Sequence, residues 1–184
     1  MFGAPSDETL VKKALNGNAD AWDKLIRRYE KRVYNFSLRM TGNREDAMDL
    51  MQNIFMAVYR GLANFRAESA FSSWLFSVAS YRATDFYRRR RHSVDLDEED
   101  AGVMDTGGAS PFGEVWARQR HAGIMRAIGR LPEEQRMVLE LKFFQDMTFE
   151  EISAQLGVST NTLKSRLYGA LRKIRQMEEV IHAV

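Results

Sequence analysis

The sequence predicts an all-α fold of two small helical domains joined by a flexible acidic linker, with a helix-turn-helix in the C-terminal domain. Long stretches repeat apolar residues at the helical period and show no strand-like alternation. The chain has three prolines, Pro5, Pro111 and Pro132, and each lies near a predicted boundary. An acidic strip containing glycine and serine separates two helical stretches. These three observations together favour helices in two blocks.

Charge is distributed unevenly along the chain. Residues 1–92 contain 16 basic and 10 acidic side chains, residues 93–112 contain six acidic and no basic ones, and residues 113–184 contain 11 basic and 9 acidic ones. The strip is too long and polar for an internal loop of one domain. We therefore predict an N-terminal domain (1–92), a linker (93–112) and a C-terminal domain (113–184). Basic blocks around an acidic segment favour a polyanionic partner.

Several classes of function are disfavoured by composition. The chain lacks cysteine, which excludes disulfides, thiolate catalysis and cysteine-bound zinc. Its three histidines are widely spaced, and no nucleophile–base constellation is evident. We expect no enzymatic activity, no catalytic or metal site and no cofactor. No apolar run approaches the roughly 20 residues of a membrane span, and the first residues do not resemble a secretory signal. We therefore expect a cytoplasmic protein without membrane insertion.

Four helices are predicted in the N-terminal domain. The first covers residues 8–15. The second covers residues 20–40 and stops at Thr41-Gly42, a helix-end signal. The third begins after Asn43, a favourable N-cap residue that is followed by acidic side chains in the first turn. The fourth covers residues 70–91.

The third helix carries a regular apolar stripe and a polar outer stripe. The outer positions are Asp46, Asp49, Gln52, Asn53, Met56 and Arg60. Two carboxylates three residues apart could suggest a metal site, but helical sites of this kind generally need Glu-x-x-His pairs, and no histidine is near. A solvated face and a protein-contact face both remain open. An exposed methionine among polar residues favours the contact face.

The fourth helix combines aromatic side chains with four consecutive arginines, Arg88 to Arg91. Aromatic rings stack on unpaired bases and arginines hold phosphates, so the combination suits single-stranded nucleic acid. Aromatic residues at helical spacing are also ordinary core residues. Phe71 and Phe86 fall near one apolar face, whereas Trp74 and Tyr81 fall toward its edge. Both interpretations remain open on the residues alone.

Residues 147–175 match the pattern of a helix-turn-helix. Thr148 opens a short helix with Glu151 in the capping-box position, Gly157 supplies the turn, and Ser159 caps the next helix. The positions predicted to face inward on that helix are Leu163, Leu167, Ala170, Leu171 and Ile174. The opposite stripe consists of Asn161, Ser165, Tyr168 and Arg172. Such side chains read base edges and phosphates. The alternative is a solvated helix pair.

Three segments together resemble the extracytoplasmic-function (group 4) branch of the sigma-70 family. The first, NREDAMDLMQNIFMAVYRGLANFR, is similar to the family's clamp-binding helix. The second, FSSWLFSVASYRATDFYRRRR, is similar to the segment that melts and reads the −10 element. The third, LPEEQRMVLELKFFQDMTFEEISAQLGVSTNTLKSRLYGALRKIR, is similar to the segment that reads the −35 element. The resemblance implies a factor that binds core RNA polymerase and directs it to specific promoters.

The resemblance also implies partners and site residues. The partners are core polymerase, through its β′ clamp and β flap, promoter DNA as duplex and melted strand, and an anti-sigma factor. The implied core-binding residues are Asp46, Asp49, Leu50, Gln52, Asn53 and Phe55. The implied −10 residues are Phe65, Arg66, Ser69, Phe71, Trp74, Tyr81, Arg82, Arg88, Arg89, Arg90 and Arg91. The implied −35 residues are Ser159, Thr160, Asn161, Thr162, Lys164, Ser165, Arg166, Tyr168 and Arg172.

One alternative function is a helix-turn-helix repressor or activator whose N-terminal half is an effector or dimerisation domain. The clamp-like helix and the arginine-tailed aromatic helix argue against it. Binding to purified core polymerase would separate the two functions, because a repressor should not bind core.

Overall fold

The computed structural model describes residues 5–94 and 123–182, and within these ranges the regular structure is helical, without strands. The N-terminal region contains α1 (Asp7–Leu15), α2 (Ala19–Thr41), α3 (Arg44–Gly61), a 3-10 turn (Leu62–Asn64) and α4 (Phe71–Val94). The C-terminal region contains α5 (123–129), α6 (Glu133–Leu139), a π-helical turn (Glu140–Phe144), α7 (Phe149–Leu156) and α8 (Thr160–His182). The all-α prediction is confirmed. Residues 95–112 of the predicted linker lie outside the described residues.

Side-chain caps set the starts of the first three helices. Ser6, Asn18 and Asn43 each accept a hydrogen bond from the backbone N–H three residues later. These bonds satisfy donors that the first helical turn leaves open. Gly42 follows α2 at a φ of 85°, a left-handed conformation that glycine adopts readily. The predicted cap at Asn43 and the stop at Gly42 are therefore confirmed, while α4 continues further than predicted, to Val94.

The apolar stripes of α2, α3 and α4 meet in the core of the N-terminal region. Phe36 of α2, Ile54 of α3 and Phe76 of α4 are almost completely buried. The rings of Phe36 and Phe76 pack with their centroids 5.7 Å apart. Removing such side chains from water contributes roughly 1.5–3 kcal/mol each. This packing fixes the rotation of α3 and α4 about their axes, so their polar stripes face solvent.

The C-terminal region contains the predicted helix-turn-helix. Thr148 and Glu151 form a reciprocal capping box at the start of α7, and Gly157 makes the turn at a φ of 66°. Ser159 then accepts a hydrogen bond from the backbone N–H of Thr162 at 3.2 Å. The predicted inward position of Leu171 is wrong: its side chain is 40% exposed, since the neighbouring Ala170 takes the buried place.

The two regions lie in direct contact. A single cluster of buried apolar side chains continues from one region into the other. At one point of this contact, the amide of Gln155 in α7 donates to the Ser80 hydroxyl of α4 at 2.8 Å. The sequence alone carried no prediction of how the regions are placed relative to each other.

Candidate polymerase and promoter interfaces

The outer face of α3 is a polar surface with apolar spots. Asp49, Gln52 and Asn53 are exposed, and the Asn53 amide donates to the backbone oxygen of Asp49 at 2.9 Å. On the same helix Met56 is 52% and Tyr59 62% exposed. A surface that mixes acidic, amide and apolar side chains is suited to contact another protein.

Three residues of the predicted core-binding set are buried or half-buried. Leu50 is only 2% exposed, because it lies one helical turn from Ile54 on the inner stripe, and its implied contact with core polymerase stays a prediction. Asp46 is half-buried, accepts a hydrogen bond from the Asn43 amide at 2.6 Å, and pairs with Arg90 of α4 at 3.3 Å. Asp46 therefore ties the start of α3 to α4. Phe55 is half-buried and packs against the core.

Three aromatic rings pack together beside the loop that joins the 3-10 turn to α4. Phe65, Phe71 and Trp74 have pairwise centroid distances of 5.2–5.7 Å. Phe71 is 3% exposed, in agreement with the core interpretation, and its ring packs against the other two, while its implied contact with DNA stays a prediction. Phe65 and Trp74 each keep part of their surface in solvent. A Cβ on Gly61 would lie 3.3 Å from the Trp74 ring, so glycine leaves room for that ring.

The loop itself exposes polar groups in an unusual backbone conformation. Arg66 and Ser69 are exposed, and Ala67 has a φ of 54°. Residues other than glycine seldom adopt this left-handed region, because the Cβ crowds the backbone. The loop therefore combines exposed polar groups with a backbone conformation that is unfavourable for alanine.

The middle of α4 presents one exposed aromatic ring, and the last turns of the helix carry a set of arginines. Tyr81 is 66% exposed, and the Arg82 guanidinium lies 5.6 Å from the centroid of its ring. Arg88 and Arg89 both pair with Asp85, Arg89 at 2.9 Å. Only the backbone of Arg91 is described. Arg88 and Arg89 are thus partly neutralised by Asp85, and Arg90 is partly neutralised by Asp46.

The outward stripe of α8 is an exposed polar surface. The exposed members of the predicted set are Ser159, Asn161, Thr162, Lys164, Ser165, Tyr168 and Arg172. Thr160 is half-buried at the start of the helix. Arg166 has a side chain that is 24% exposed and pairs with Glu134 of α6 at 2.6 Å. Arg166 therefore lies on the flank of the stripe rather than at its centre.

Comparison with known proteins identifies the family of this chain. Residues 25–93 match Sigma-70 region 2, and residues 121–174 match Sigma-70, region 4. The chain is 30% identical over 177 residues to the ECF RNA polymerase sigma-E factor of Escherichia coli, covering 92% of each chain. It is 29% identical over 182 residues to the RNA polymerase sigma-H factor of Pseudomonas aeruginosa, covering 95% of this chain and 94% of the relative.

The chain belongs to the extracytoplasmic-function sigma factors of the sigma-70 family. A sigma factor binds core RNA polymerase and directs it to specific promoters to initiate transcription, and the predicted function is confirmed. The alternative of a simple repressor or activator does not account for a region 2 match. The family comprises DNA-binding regulators.

Solved structures agree on the fold of this sigma factor. The structure of CnrH in complex with the cytosolic domain of CnrY has a TM-score of 0.68 at 23% identity, covering 96% of this chain and 99% of that one. The sigma factor RpoE in complex with the anti-sigma factor NepR from Bartonella quintana has a TM-score of 0.72 at 19% identity, covering 86% and 96%. In residues 5–94 and 123–182, none of the helices has the length and apolarity that crossing a membrane would require.

Polar residues that were not predicted from the sequence join the two regions of the sigma factor. Tyr87 of α4 donates to the backbone oxygen of Met40 and accepts from Arg136 of α6 at 3.1 Å. Burial raises the pKa of Tyr87 to about 12. Glu140 is 1% exposed. A lone acid inside the apolar run MVLELKFF was the one available sign that Glu140 has a buried partner.

Proposed function

We propose that three surfaces divide the work of this sigma factor. The outer face of α3 binds the β′ clamp of core polymerase, the loop of residues 65–70 with α4 melts and reads the −10 element, and the outward stripe of α8 reads the −35 element. The observation that carries this proposal is the exposed stripe of α8, which follows a capped turn within the part of the chain that matches Sigma-70, region 4.

For the polymerase contact, we assign Asp49, Gln52 and Asn53 as direct contacts, since all three are exposed on one face. Phe55 contributes the exposed part of its ring. Asp46 acts through its bond with Arg90, which holds the beginning of α3 against α4. Leu50 supports this face from the core. The C-terminal region contacts the β flap.

For the −10 element, the exposed edges of Phe65 and Trp74 offer stacking surfaces to an unpaired base. Stacking of a base on an aromatic ring is worth about 1–3 kcal/mol, a contribution that offsets the cost of extruding the base. Arg66 and Ser69 lie on the loop beside these rings. Tyr81 and Arg82 extend the surface along α4. The arginines at the end of α4, Arg88 to Arg91, hold phosphates.

For the −35 element, α8 enters the major groove with its N-terminal end. Asn161 and Ser165 then contact base edges, while Lys164, Tyr168 and Arg172 hold the backbone. Ser159, Thr160 and Thr162 lie at the start of the helix, where their hydroxyls and the helix dipole favour a phosphate. Arg166 contributes once a DNA phosphate replaces Glu134 as its partner.

The remaining expectations concern partners and location. Sigma factors of similar fold have been solved with the cytosolic domain of CnrY and with the anti-sigma factor NepR. We infer that this chain also binds an anti-sigma factor, works in the cytoplasm beside the polymerase, and has no catalytic activity of its own.

Site-specific photocrosslinking tests the division of work. Benzoylphenylalanine in place of Gln52 should crosslink to the β′ subunit of core polymerase, and in place of Tyr168 it should crosslink to DNA upstream of the start site. The same group in place of Glu30, an exposed residue of α2 outside the assigned surfaces, is the matched control. Crosslinks from Gln52 to DNA, or none above the Glu30 control, would remove the assignment of α3.

A further inference from the structure

The outer face of α3 carries two exposed methionines. The side chain of Met48 is 44% exposed and that of Met56 is 52% exposed. The other methionines of residues 5–94 and 123–182 are buried or half-buried, namely Met40, Met51, Met125, Met137, Met147 and Met177. In this part of the chain, exposed methionine is therefore confined to one helix.

Both methionines lie in the sector of α3 that we assign to the β′ clamp. At about 100° of rotation per residue, Met48 and Met56 lie about 80° apart, with Gln52 midway between them. Along the helix axis they are separated by about 12 Å. A standard interface covers about 800 Å² on each partner, a patch about 30 Å across. A partner centred on Gln52 therefore covers both methionines as well.

The apolar surface of this face consists mainly of methionine. The exposed large apolar side chains of α3 are Met48, Met56 and Tyr59, the last of them 62% exposed. Removing apolar surface from water favours association, and a flexible thioether side chain adapts its shape to a partner. The two methionines should therefore supply much of the apolar contact between α3 and the clamp.

Exposed methionine is also a site of chemical modification. Its thioether is oxidised by peroxides to methionine sulfoxide, a polar and chiral group. The chain has no cysteine, so no thiolate of its own competes for the oxidant. Because oxidation depends on access to the sulfur, Met48 and Met56 should react before a buried residue such as Met40, which is 0% exposed.

The oxidation needs only hydrogen peroxide as co-reactant. A lone pair of the thioether sulfur attacks one peroxide oxygen, so that an S–O bond forms and the O–O bond breaks. The second oxygen leaves as water after proton transfer. Sulfur thereby loses two electrons and peroxide gains them. Methionine sulfoxide reductases return the thioether, with one enzyme for each epimer, so the modification is reversible.

We propose that Met48 and Met56 form an oxidation site, at which peroxide reversibly lowers the affinity of the sigma factor for core polymerase. The proposal rests on the proposed function, because it takes the outer face of α3 to bind the β′ clamp. A sulfoxide oxygen accepts hydrogen bonds from water, and covering it without a new donor costs free energy. The same change removes apolar contact, so both effects weaken the complex.

Competition for core polymerase before and after oxidation tests the proposal. The purified chain is treated with hydrogen peroxide, catalase removes the oxidant, and core is then added. Once mass spectrometry shows both sulfoxides, binding should be about tenfold weaker, which corresponds to about 1.4 kcal/mol. Treatment with both types of reductase should restore it. Binding within about twofold of the untreated protein, with both sulfoxides present, would overturn the proposal. So would unmodified Met48 and Met56 at a dose that fully oxidises N-acetylmethionine amide.

Leucine variants show whether these two sulfurs are responsible. Leucine resembles methionine in volume and has no sulfur to oxidise. Each protein is compared with its own untreated form, so any change in starting affinity cancels. Peroxide should weaken binding of Met48→Leu/Met56→Leu by less than about twofold, whereas Met177→Leu, altered in α8, should lose about tenfold as wild type does. A tenfold loss in the double variant would place the effect elsewhere and overturn the proposal.

A polar substitution tests the mechanism without any oxidant. Met48→Gln/Met56→Gln places an uncharged polar group at both positions, and because both are exposed, its thermal unfolding should match that of wild type. Its binding to core should be about tenfold weaker. Wild-type affinity in this variant would show that polarity at these positions does not matter, and would overturn the proposed mechanism.

The outcome for untreated wild type separates this inference from the proposed function. If untreated wild type does not bind core, or if its Gln52 position does not crosslink to the β′ subunit, the proposed function fails. If both results are positive but peroxide leaves the affinity unchanged, only the oxidation site is refuted. Core should also slow the oxidation of Met48 and Met56 at least about fivefold, because the clamp covers them. Equal oxidation rates with and without core would remove both methionines from the interface.

Discussion

Reversal of the charge at Asp49 should weaken binding to core polymerase while leaving the sigma factor folded. Asp49 is exposed on the outer face of α3, opposite the buried stripe that contains Ile54, so Asp49→Arg opens no cavity. Arginine has a higher helix propensity than aspartate, and Asp46 lies one turn earlier as a new neighbour of opposite charge. Surface changes of this kind alter the free energy of unfolding by about 0.5 kcal/mol or less.

The size of the binding defect follows from the Coulomb energy of a surface pair. Two unit charges 4 Å apart interact by about 1 kcal/mol in water and by about 4 kcal/mol near a protein surface. Reversal changes attraction into repulsion, so with a single basic partner on the clamp the binding free energy should fall by at least about 2 kcal/mol. That corresponds to roughly 30-fold weaker binding. The same contact between like charges also slows association at low salt.

The assay is competition between labelled wild type and unlabelled variant for core polymerase, at two salt concentrations, with thermal unfolding measured alongside. Glu30→Arg introduces the same charge change at an exposed position of α2 and should bind like wild type. If Asp49→Arg competes as well as Glu30→Arg, the assignment of α3 to the clamp is refuted. A loss that does not shrink with added salt would refute the Coulomb argument alone.

Three further predictions concern DNA and pH. Asn161→Ala should change which upstream sequences are preferred, by about 1–3 kcal/mol for a good base contact. Arg172→Ala should weaken binding to all sequences about equally, and it should lower the slope of log K against log salt concentration by about one. Trp74→Ala should impair opening on duplex promoters in permanganate footprinting, and a pre-melted template should partly rescue transcription, because the bases are already unpaired. The raised pKa of Tyr87, about 12 against 10.0, means that the unfolded chain loses this proton first as the pH rises. The free energy of unfolding should therefore fall between about pH 10 and 12, and Tyr87→Phe should reduce that slope.

Each of these predictions has a result that contradicts it. If Asn161→Ala weakened binding to all upstream sequences equally, Asn161 would contact the DNA backbone and not a base. For Trp74→Ala, equal defects on duplex and pre-melted templates, with a lower melting temperature, would mean that the ring only supports Phe65 and Phe71. An unchanged alkaline slope in Tyr87→Phe would show that the Tyr87 hydroxyl is not protected from titration by its burial between the regions.

Local features of this fold were predictable because they depend on near neighbours in sequence. A capping side chain acts three residues away, as at Asn43 and Thr148, and a left-handed glycine ends the helix that it follows, as at Gly42. The same holds for the exposed stripe of α8, since a helix with one buried stripe exposes the opposite side. The family could be recognised because three segments occur in the same order as in the family. No single segment would have been enough.

Other features depend on contacts far apart in sequence and could not be predicted. The burial of Leu50 and Phe71 follows from the apolar stripes of their own helices and was predictable, whereas the contacts between the two regions do not follow from any one stripe. Glu140 meets Arg39 across 101 positions of sequence. Periodicity describes one helix at a time, so it contains no information about which region faces which.

Transcription in vitro over a randomised promoter library tests the central claim most directly. Core polymerase with the purified chain should select two sequence blocks at a constant spacing upstream of the start site, and core alone should select none. The Asn161→Ala variant should change only the upstream block. Failure of the chain to raise promoter-specific transcripts above core alone, in a preparation that is folded and binds DNA, would contradict the assignment of this protein as a sigma factor.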